Sequence, residues 1–343
     1  MADNNMPHRN ITILDVAREA GVSYSTVSRV LNGYEFVKET TRERVLEVAD
    51  KMGYVANLQA RSLAGGHSQI VGILVPGLDS GYVGEIVTGI DTELGKADYE
   101  IMLYTTHRKR GKESKFANLI AGGLSEGLIL VAPLIIDTYI EALQAKQFPY
   151  VIIDQADETN TSDVIEATNL QGAYEITKHL LELGHKRIGY IQGDRATSAI
   201  DRFNGYKSAL GDFGIPLDEQ IVVQGNFWRS SGYQGTLELL ELGTPPTAIF
   251  AANDLMAFGA LEAITERGLN VPADISVVGF DDISQSSLTM PKLTTVRQPL
   301  NKMGRMAARL LLERFENPDV TPRHIAVDTQ LIVRESTAPP RQP

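Results

Sequence analysis

The chain has 343 residues, 43% of them hydrophobic, which is enough for two or three domains with real cores and too apolar for a disordered polymer. It contains no Cys, and this removes structural disulfides, thiolate metal sites and Cys nucleophiles together. Its 32 Lys and Arg against 43 Asp and Glu give a formal net charge of -11, a balance that, taken whole, argues against a nucleic-acid binder.

The charge is unevenly placed. Residues 1–66 hold 8 basic and 8 acidic groups, so the whole -11 belongs to residues 67–343 and points to separate duties for the two parts. The N-terminus lacks a basic stretch followed by an apolar core, and no apolar run approaches about 18 residues. A soluble, cytoplasmic protein without membrane contact is the expectation.

The first 66 residues read as short helices with no strand. Thr12 with Asp15 makes a capping arrangement for a first helix, whose apolar face is Val16, Ala17 and Ala20 and which Gly21 stops. Ser23 caps a second helix over 24–31, with Val27, Val30 and Leu31 turned inward. Thr40 with Glu43 announces a third as a capping box; Val45, Val48, Ala49 and Met52 form its inner face and Gly53 ends it. Residues 57–66, NLQARSLAGG, are helix-compatible but too short to fold alone, so their helicity depends on what they touch.

From Gln69 the rhythm becomes apolar strand, turn, amphipathic helix. Strands are predicted at 70–76, 99–106, 127–132, 149–154, 187–193, 247–252 and 275–282. Near-continuous apolar strands alternating with helices imply parallel sheets covered on both faces, and some 270 residues call for two doubly wound lobes. The tail from Arg334 to Pro343 has no heptad pattern, so nothing suggests a coiled-coil tetramer.

Several apparent motifs carry no chemistry. Gly95-Lys96 lacks the glycine a P-loop needs, and no Gly-x-Ser-x-Gly elbow appears. His179, Glu182 and His185 resemble metal ligands, but Gly184 breaks the helix between them. The basic run 107–112 reads as a solvated loop and helix start. No nucleophile and base pair is found, so an enzyme is not expected, and neither a cofactor nor a metal is called for.

Residues 11–33, ITILDVAREAGVSYSTVSRVLNG, carry the strongest signal. Two short helices about a three-residue turn, the second rich in Ser, Thr and Tyr with one Arg, are what a helix-turn-helix needs. Tyr24, Ser25, Ser28 and Arg29 share the face opposite Val27, Val30 and Leu31. Here, and through the third helix and Tyr54 to Leu63, the chain resembles the lactose/galactose repressor family of bacterial transcription regulators. The resemblance continues through residues 181–191, 201–206, 250–261, 274–283, 293–299 and 331–337.

The resemblance implies an all-α helix-turn-helix head over 1–56 and a hinge helix and linker over 57–68. It also implies a periplasmic-binding-protein-like α/β core of two parallel-sheet lobes over 69–343. One lobe would take about 69–166 plus 297–325, the other about 167–296 plus 326–338. In the family, the positions of Tyr24, Ser25 and Arg29 read base edges, and Arg is the natural bidentate reader of guanine. Ser23, Ser28, Asn32, Tyr54 and Asn57 match positions that hold the DNA backbone or the hinge contact. Leu63 matches an apolar wedge in the minor groove, and Ala60 keeps two hinges close.

For the core, the resemblance implies a small effector between the lobes, with Asp154, Arg202, Asn253, Asp281 and Gln298 as contacts. Phe227 or Trp228 would lie against the apolar face of a sugar ring. Residues 76–86, PGLDSGYVGEI, depart from the family pattern; there Tyr82 offers an aromatic platform and Asp79 and Glu85 offer hydroxyl acceptors. The expected protein is a homodimeric repressor on double-stranded operator DNA, with a mono- or oligosaccharide effector. A purine or protein corepressor and a solute-binding receptor are the alternatives, but a receptor has no use for residues 11–63. Whether the effector induces or co-represses stays open.

Overall fold

The computed structural model describes residues 11–31, 34, 36–54, 68–78, 81–105, 124–133, 136–157, 160–194 and 196–341. The expected hinge helix and linker over 57–68, except for Ser68, and the basic run 107–112 lie outside the described residues. The chain forms two compact units that part after Ser68.

The N-terminal unit contains α1 (Ile13–Ala20), α2 (Tyr24–Leu31) and α3 (Glu39–Met52). The Thr12 backbone N–H and hydroxyl both donate to Asp15 Oδ2, at 3.0 and 2.7 Å, closing the first turn of α1. Gly21 and Gly53, each at φ 65, take the left-handed conformation that ends α1 and α3. Ser23 Oγ accepts from the Thr26 N–H at 3.2 Å and starts α2. The core of this unit is Val16, Ala17, Ala20, Val27, Val30, Val45 and Ala49, with Val37, Val48 and Met52 packed around it.

One boundary differs from the sequence reading. The first helical N–H groups of α3, on Thr41 and Arg42, donate to the carbonyl of Lys38, so Lys38 is the N-cap and Thr40 lies inside the helix. The apolar Val37 is already docked in the core, which fixes the helix start two residues earlier than the Thr40 capping box proposed.

The second unit contains two parallel sheets. The first has the order β11-β5-β4-β3-β1-β2, from β1 (Ile70–Val75), β2 (Glu100–Thr105), β3 (Gly127–Val131), β4 (Tyr150–Ile153), β5 (Asp163–Ala167) and β11 (His324–Val327). The second is β7-β6-β8-β9, from β6 (Ile188–Ile191), β7 (Val222–Val223), β8 (Ala248–Ala251) and β9 (Ser276–Val278). β10 (Thr295–Arg297) and β12 (Gln330–Ile332) pair antiparallel where the chain passes between the sheets. The helices are α4 (Gly81–Leu94), α5 (Ile136–Gln144), α6 (Asn169–Glu182), α7 (Thr197–Asp212), α8 (Arg229–Leu240), α9 (Asp254–Glu266) and α10 (Leu300–Glu316).

Each sheet has its own apolar core, as parallel strands covered on both faces require. Val71, Ile73, Ile129, Val151 and Ile153 meet Ile86 and Ile90 of α4 and Met303 and Leu311 of α10. Tyr190, Ile191, Phe250 and Val277 meet Ile176 and Leu180 of α6, Tyr206 of α7 and Met256 and Ala260 of α9. All seven strands read from the sequence are present and shorter than read, six of them by one to three residues and the last, read over 275–282, reduced to Ser276–Val278. Among the described residues no helix is long and apolar enough to cross a membrane.

Candidate DNA-reading face and effector cleft

On α2 the apolar positions Val27 and Val30 face the core while Tyr24, Ser25 and Arg29 are exposed and Ser28 is half-buried. Arg29 is exposed on the same face of α2 as Tyr24 and Ser25. Ser23 is engaged locally, its hydroxyl 2.8 Å from the hydroxyls of both Ser25 and Thr26. Tyr54 packs half-buried against the core; burial, and after it the nearby Tyr24, push its hydroxyl pKa up. Asn32, Asn57, Ala60 and Leu63 lie outside the described residues.

In the second unit a cavity of about 880 Å³, counted to its open mouth, lies at the C-terminal ends of both sheets. Pro76 follows β1, Ala132 β3, Asp154 β4, Asp194 β6, Phe227 and Trp228 β7, Asn253 β8 and Asp281 β9, and all of them line it. Outside these ends of parallel strands is where doubly wound folds bind ligands. Ala132, Asp154, Phe227 and Asp281 have φ of 41, 58, 67 and 127°, left-handed values that cost a non-glycine residue about 1–3 kcal/mol each and cluster at ligand sites.

Arg202 is the hub. It sits in α7 only 2% exposed, its Cζ 3.9 Å from the centroid of the Phe280 ring. Nε donates to Asn169 Oδ1 at 2.9 Å and Nη1 to the Ala252 carbonyl at 2.7 Å, with Asp281 Oδ1 3.4 Å from Nη1 and Asp154 Oδ2 3.9 Å from Nη2. Asp154 also accepts from the Tyr82 hydroxyl at 3.0 Å and Asn169 Nδ2 at 3.1 Å. Burial raises the pKa of Asp154 and lifts that of Asp281 well above the carboxylate range, and Arg202 opposes both shifts. Burial, reinforced by Asp154, lifts the Tyr82 hydroxyl, so Tyr82 stays a donor.

Six of the seven expected effector residues, Tyr82, Asp154, Arg202, Phe227, Asn253 and Asp281, therefore meet around one cavity. Gln298 is not among its lining residues: it is buried and its Nε2 donates to Asp281 Oδ1 at 2.7 Å, holding the carboxylate from behind. Asn253 does double work, capping α9 through the Met256 N–H and donating to the Phe227 carbonyl. Glu85 lies half-buried on α4 outside the lining, with its pKa raised by burial, and Asp79 is outside the described residues. The sequence reading missed Asp194, Ser198, Asn226 and Leu255, which line the cavity from short loops and helix starts that carry no pattern.

Comparison with known proteins agrees with both halves of this description. Residues 12–57 match the bacterial regulatory proteins of the lacI family, and residues 177–337 match a periplasmic binding protein-like domain. Catabolite control protein A of Priestia megaterium is 33% identical over 96% of this chain and 99% of its own length. The chain belongs to the LacI family of bacterial transcription regulators. Among solved structures, the Lac repressor dimer bound to operator and the anti-inducer ONPF aligns with a TM-score of 0.82 at 33% identity, covering 96% of this chain and all of that one. The complex of the regulator CelR with cellobiose aligns at 0.74 and 31%, covering 95% and 99%. As a LacI-family protein, the chain is a DNA-binding transcriptional regulator with a helix-turn-helix region and an α/β periplasmic-binding-protein-like core.

Proposed function

We propose that this LacI-family regulator is a repressor that works as a homodimer on a pseudo-palindromic operator and is controlled by a sugar in the cleft. Tyr24, Ser25 and Arg29 read base edges from α2. Ser23, Ser28, Asn32, Tyr54 and Asn57 hold the backbone and hinge contact, and Ala60 and Leu63 form the minor-groove wedge. Tyr82, Asp154, Arg202, Phe227, Asn253 and Asp281 contact the effector, and Gln298 fixes Asp281. Residues 1–56 form the head, 57–68 the hinge and 69–343 the effector core, working in the cytoplasm.

The observation that carries the effector reading is that Arg202, on a helix of the second sheet, reaches Asp154 at the end of β4 in the first. A ligand that exchanges its hydroxyls for these contacts favours one closure of the lobes over another, and a ligand shifts an equilibrium only by such differential affinity. The regulator CelR, which has the same fold and was solved as a complex with cellobiose, supports the ligand class.

The test is a gel-shift titration of the whole chain on its own upstream DNA, at stated salt, with mono- and disaccharides added. Operator affinity is expected to change with at least one sugar, and Arg29→Ala to lose specific binding while effector binding persists. Unchanged footprints for Arg29→Ala would remove Arg29 from the reading face. An operator affinity indifferent to every ligand that occupies the cleft would sink the regulatory reading.

A further inference from the structure

Arg202 lies between two buried aspartates, and one positive charge cannot be fully paired with both. The hydrogen bonds of the two carboxyl groups differ in kind. Asp154 is ringed by donors: the Tyr82 hydroxyl at 3.0 Å, Asn169 Nδ2 at 3.1 Å and the Ser198 hydroxyl, with Arg202 Nη2 3.9 Å away. Donors on every side favour the ionised form, so Asp154 carries the negative charge.

Asp281 has other surroundings. Its N–H donates to the Val296 carbonyl at 2.8 Å and its carbonyl accepts from the Gln298 N–H at 3.1 Å, which sets its carboxyl group beside the Gln298 amide. Gln298 Nε2 donates to Asp281 Oδ1 at 2.7 Å, while Oε1 of the same amide is buried with no donor among the described residues. Buried acceptors are seldom left empty. A proton on Asp281 fills this one, because an acid and an amide side by side can exchange two hydrogen bonds, N–H to carbonyl and O–H to carbonyl. Arg202 Nη1 stands 3.4 Å from Asp281 Oδ1 but already donates to the Ala252 carbonyl at 2.7 Å.

We infer that Asp281 is a neutral acid whose proton is donated to Gln298 Oε1, and that this proton directs the charge of Arg202 across the cleft to Asp154. Arg202 and Asp281 belong to the side of the second sheet and Asp154 ends β4 of the first. When the proton leaves, the two aspartates compete for Arg202 and the link between the sheets weakens, so the cleft is looser at higher pH. Other charged groups face the pair from each side. Asp254 at the start of α9 accepts from Ser286, Thr295 and Ile283. Asp282 pairs with Arg297 and Arg334 at 2.7 and 2.6 Å, Glu85 on α4 faces Asp282, and Asp194, itself engaged, lines the cavity from the end of β6. Burial acts on Asp281 in the same direction as the amide, lifting its pKa well above the carboxylate range against the pull of Arg202. The inference concerns the free protein and goes beyond the effector reading without depending on it.

Asparagine copies a protonated aspartate: its carbonyl accepts from Nε2 and its amide donates to Oε1. Urea midpoints of the full chain, without DNA or ligand, are therefore compared for wild type, Asp281→Asn and Asp281→Ala between pH 5 and pH 8.5. Asp281→Asn is expected to keep the wild-type midpoint at pH 5 and to exceed it increasingly as pH rises, because the unfolded wild-type chain releases a proton that the folded one retains. Asp281→Ala is expected to fall at every pH. If Asp281 is instead the ionised partner of Arg202, Asp281→Asn strands the cation, lowers the midpoint by about 1 M or more and falls further behind as pH rises. That result, or an Asp281→Asn chain that does not fold, overturns the inference. Carbon-13 labelling of the aspartate carboxyl groups gives a second reading on the wild type itself. At pH 7, where free aspartate is ionised, one carboxyl carbon is expected in its protonated position and to be missing from the Asp281→Asn spectrum. Every aspartate ionised at pH 7, or the protonated signal surviving in Asp281→Asn, refutes the neutral acid. The Asp154 signal, assigned through Asp154→Asn, is expected to shift as Asp281 titrates and to stay still in Asp281→Asn; an Asp154 signal indifferent to that titration refutes the competition for Arg202.

Discussion

Arg202 joins two buried aspartates that would otherwise face each other without a cation, so its removal has two separable effects. Arg202→Ala leaves Asp154 and Asp281 buried without their cation, which costs about 3–5 kcal/mol and shows as a lower urea midpoint. It also removes the link between the lobes, so operator binding should lose its response to effector; a response that survives would place the ligand contact elsewhere. Asp254 allows a test by pH. It is fully buried at the start of α9 and accepts from the Ser286 and Thr295 hydroxyls, each at 2.5 Å, and from the Ile283 N–H; burial pushes its pKa up to about 6. A carboxyl whose folded pKa lies above its unfolded value holds a proton that the unfolded chain has released. Stability therefore falls as pH rises from about 4 to 6 and levels off above, an effect of a few kcal/mol. Burial raises Asp154 and Asp281 in the same direction. Denaturation midpoints should thus be higher at pH 5 than at pH 7, and Asp254→Asn should flatten the difference; an unchanged slope in the variant would reassign the proton. Asp154, Asn253 and Asp281 were legible in the sequence because each follows an apolar strand, where parallel folds place ligand contacts. Gln298 was legible only as a polar residue after a strand; that it faces Asp281 and not the cavity is set by the antiparallel pairing of β10 with β12, which no local pattern announces.

At the scale of elements, α4 carries Tyr82 and is held against α10 by two glycines. A Cβ on Gly304 would stand 2.1 Å from the Ile86 carbonyl oxygen, and one on Gly89 2.1 Å from that of Asn301, so the two backbones touch where side chains usually intervene. Gly304→Ala should therefore cost about 1–3 kcal/mol by overpacking, despite the gain in helix propensity. Gly84→Ala, in the same α4 with nothing within 4 Å of the added Cβ, should stabilise by about 0.5–1 kcal/mol. Thermal midpoints that move in the same direction for both would refute the close crossing. The strands that the sequence concealed have common causes. β5 begins with Asp163, fully buried only because Arg314 and Arg323 meet it at 2.5 and 3.3 Å, and contains Glu166, so charge interrupts its apolar run. β7 has two residues, and β10 and β12 have three each. β11 is a half-exposed edge strand that returns to the first sheet after more than 150 residues, a pairing set by topology alone. Six of the seven strands legible from sequence are buried along their whole length, where composition and burial coincide; β2, a partly exposed edge strand, was legible from its apolar residues alone.

Over the whole molecule, the -11 that at first argued against nucleic acid belongs to the effector core, and residues 1–66 are neutral. Two of the cations there are partly neutralised, Arg18 by Asp15 at 3.5 Å and Arg42 by Glu39 at 3.7 Å. Such a head has little broad attraction for phosphates, and on the proposed reading its binding comes from a few placed contacts on α2 made twice. A single small module buries only about 600–1,000 Å² on DNA, whereas two modules tied together gain an effective concentration that raises affinity by about 10²–10⁴. A duplex with one half-site should therefore bind at least about a hundredfold more weakly than the full operator. Because each head releases its own counterions, the slope of log affinity against log salt should be about twice as steep for the full operator as for the half-site. Both quantities come from one series of anisotropy titrations at several salt concentrations. Equal affinity and equal slope on the two duplexes would mean that one head suffices, and control through pairing of the hinges would then have nothing to act on.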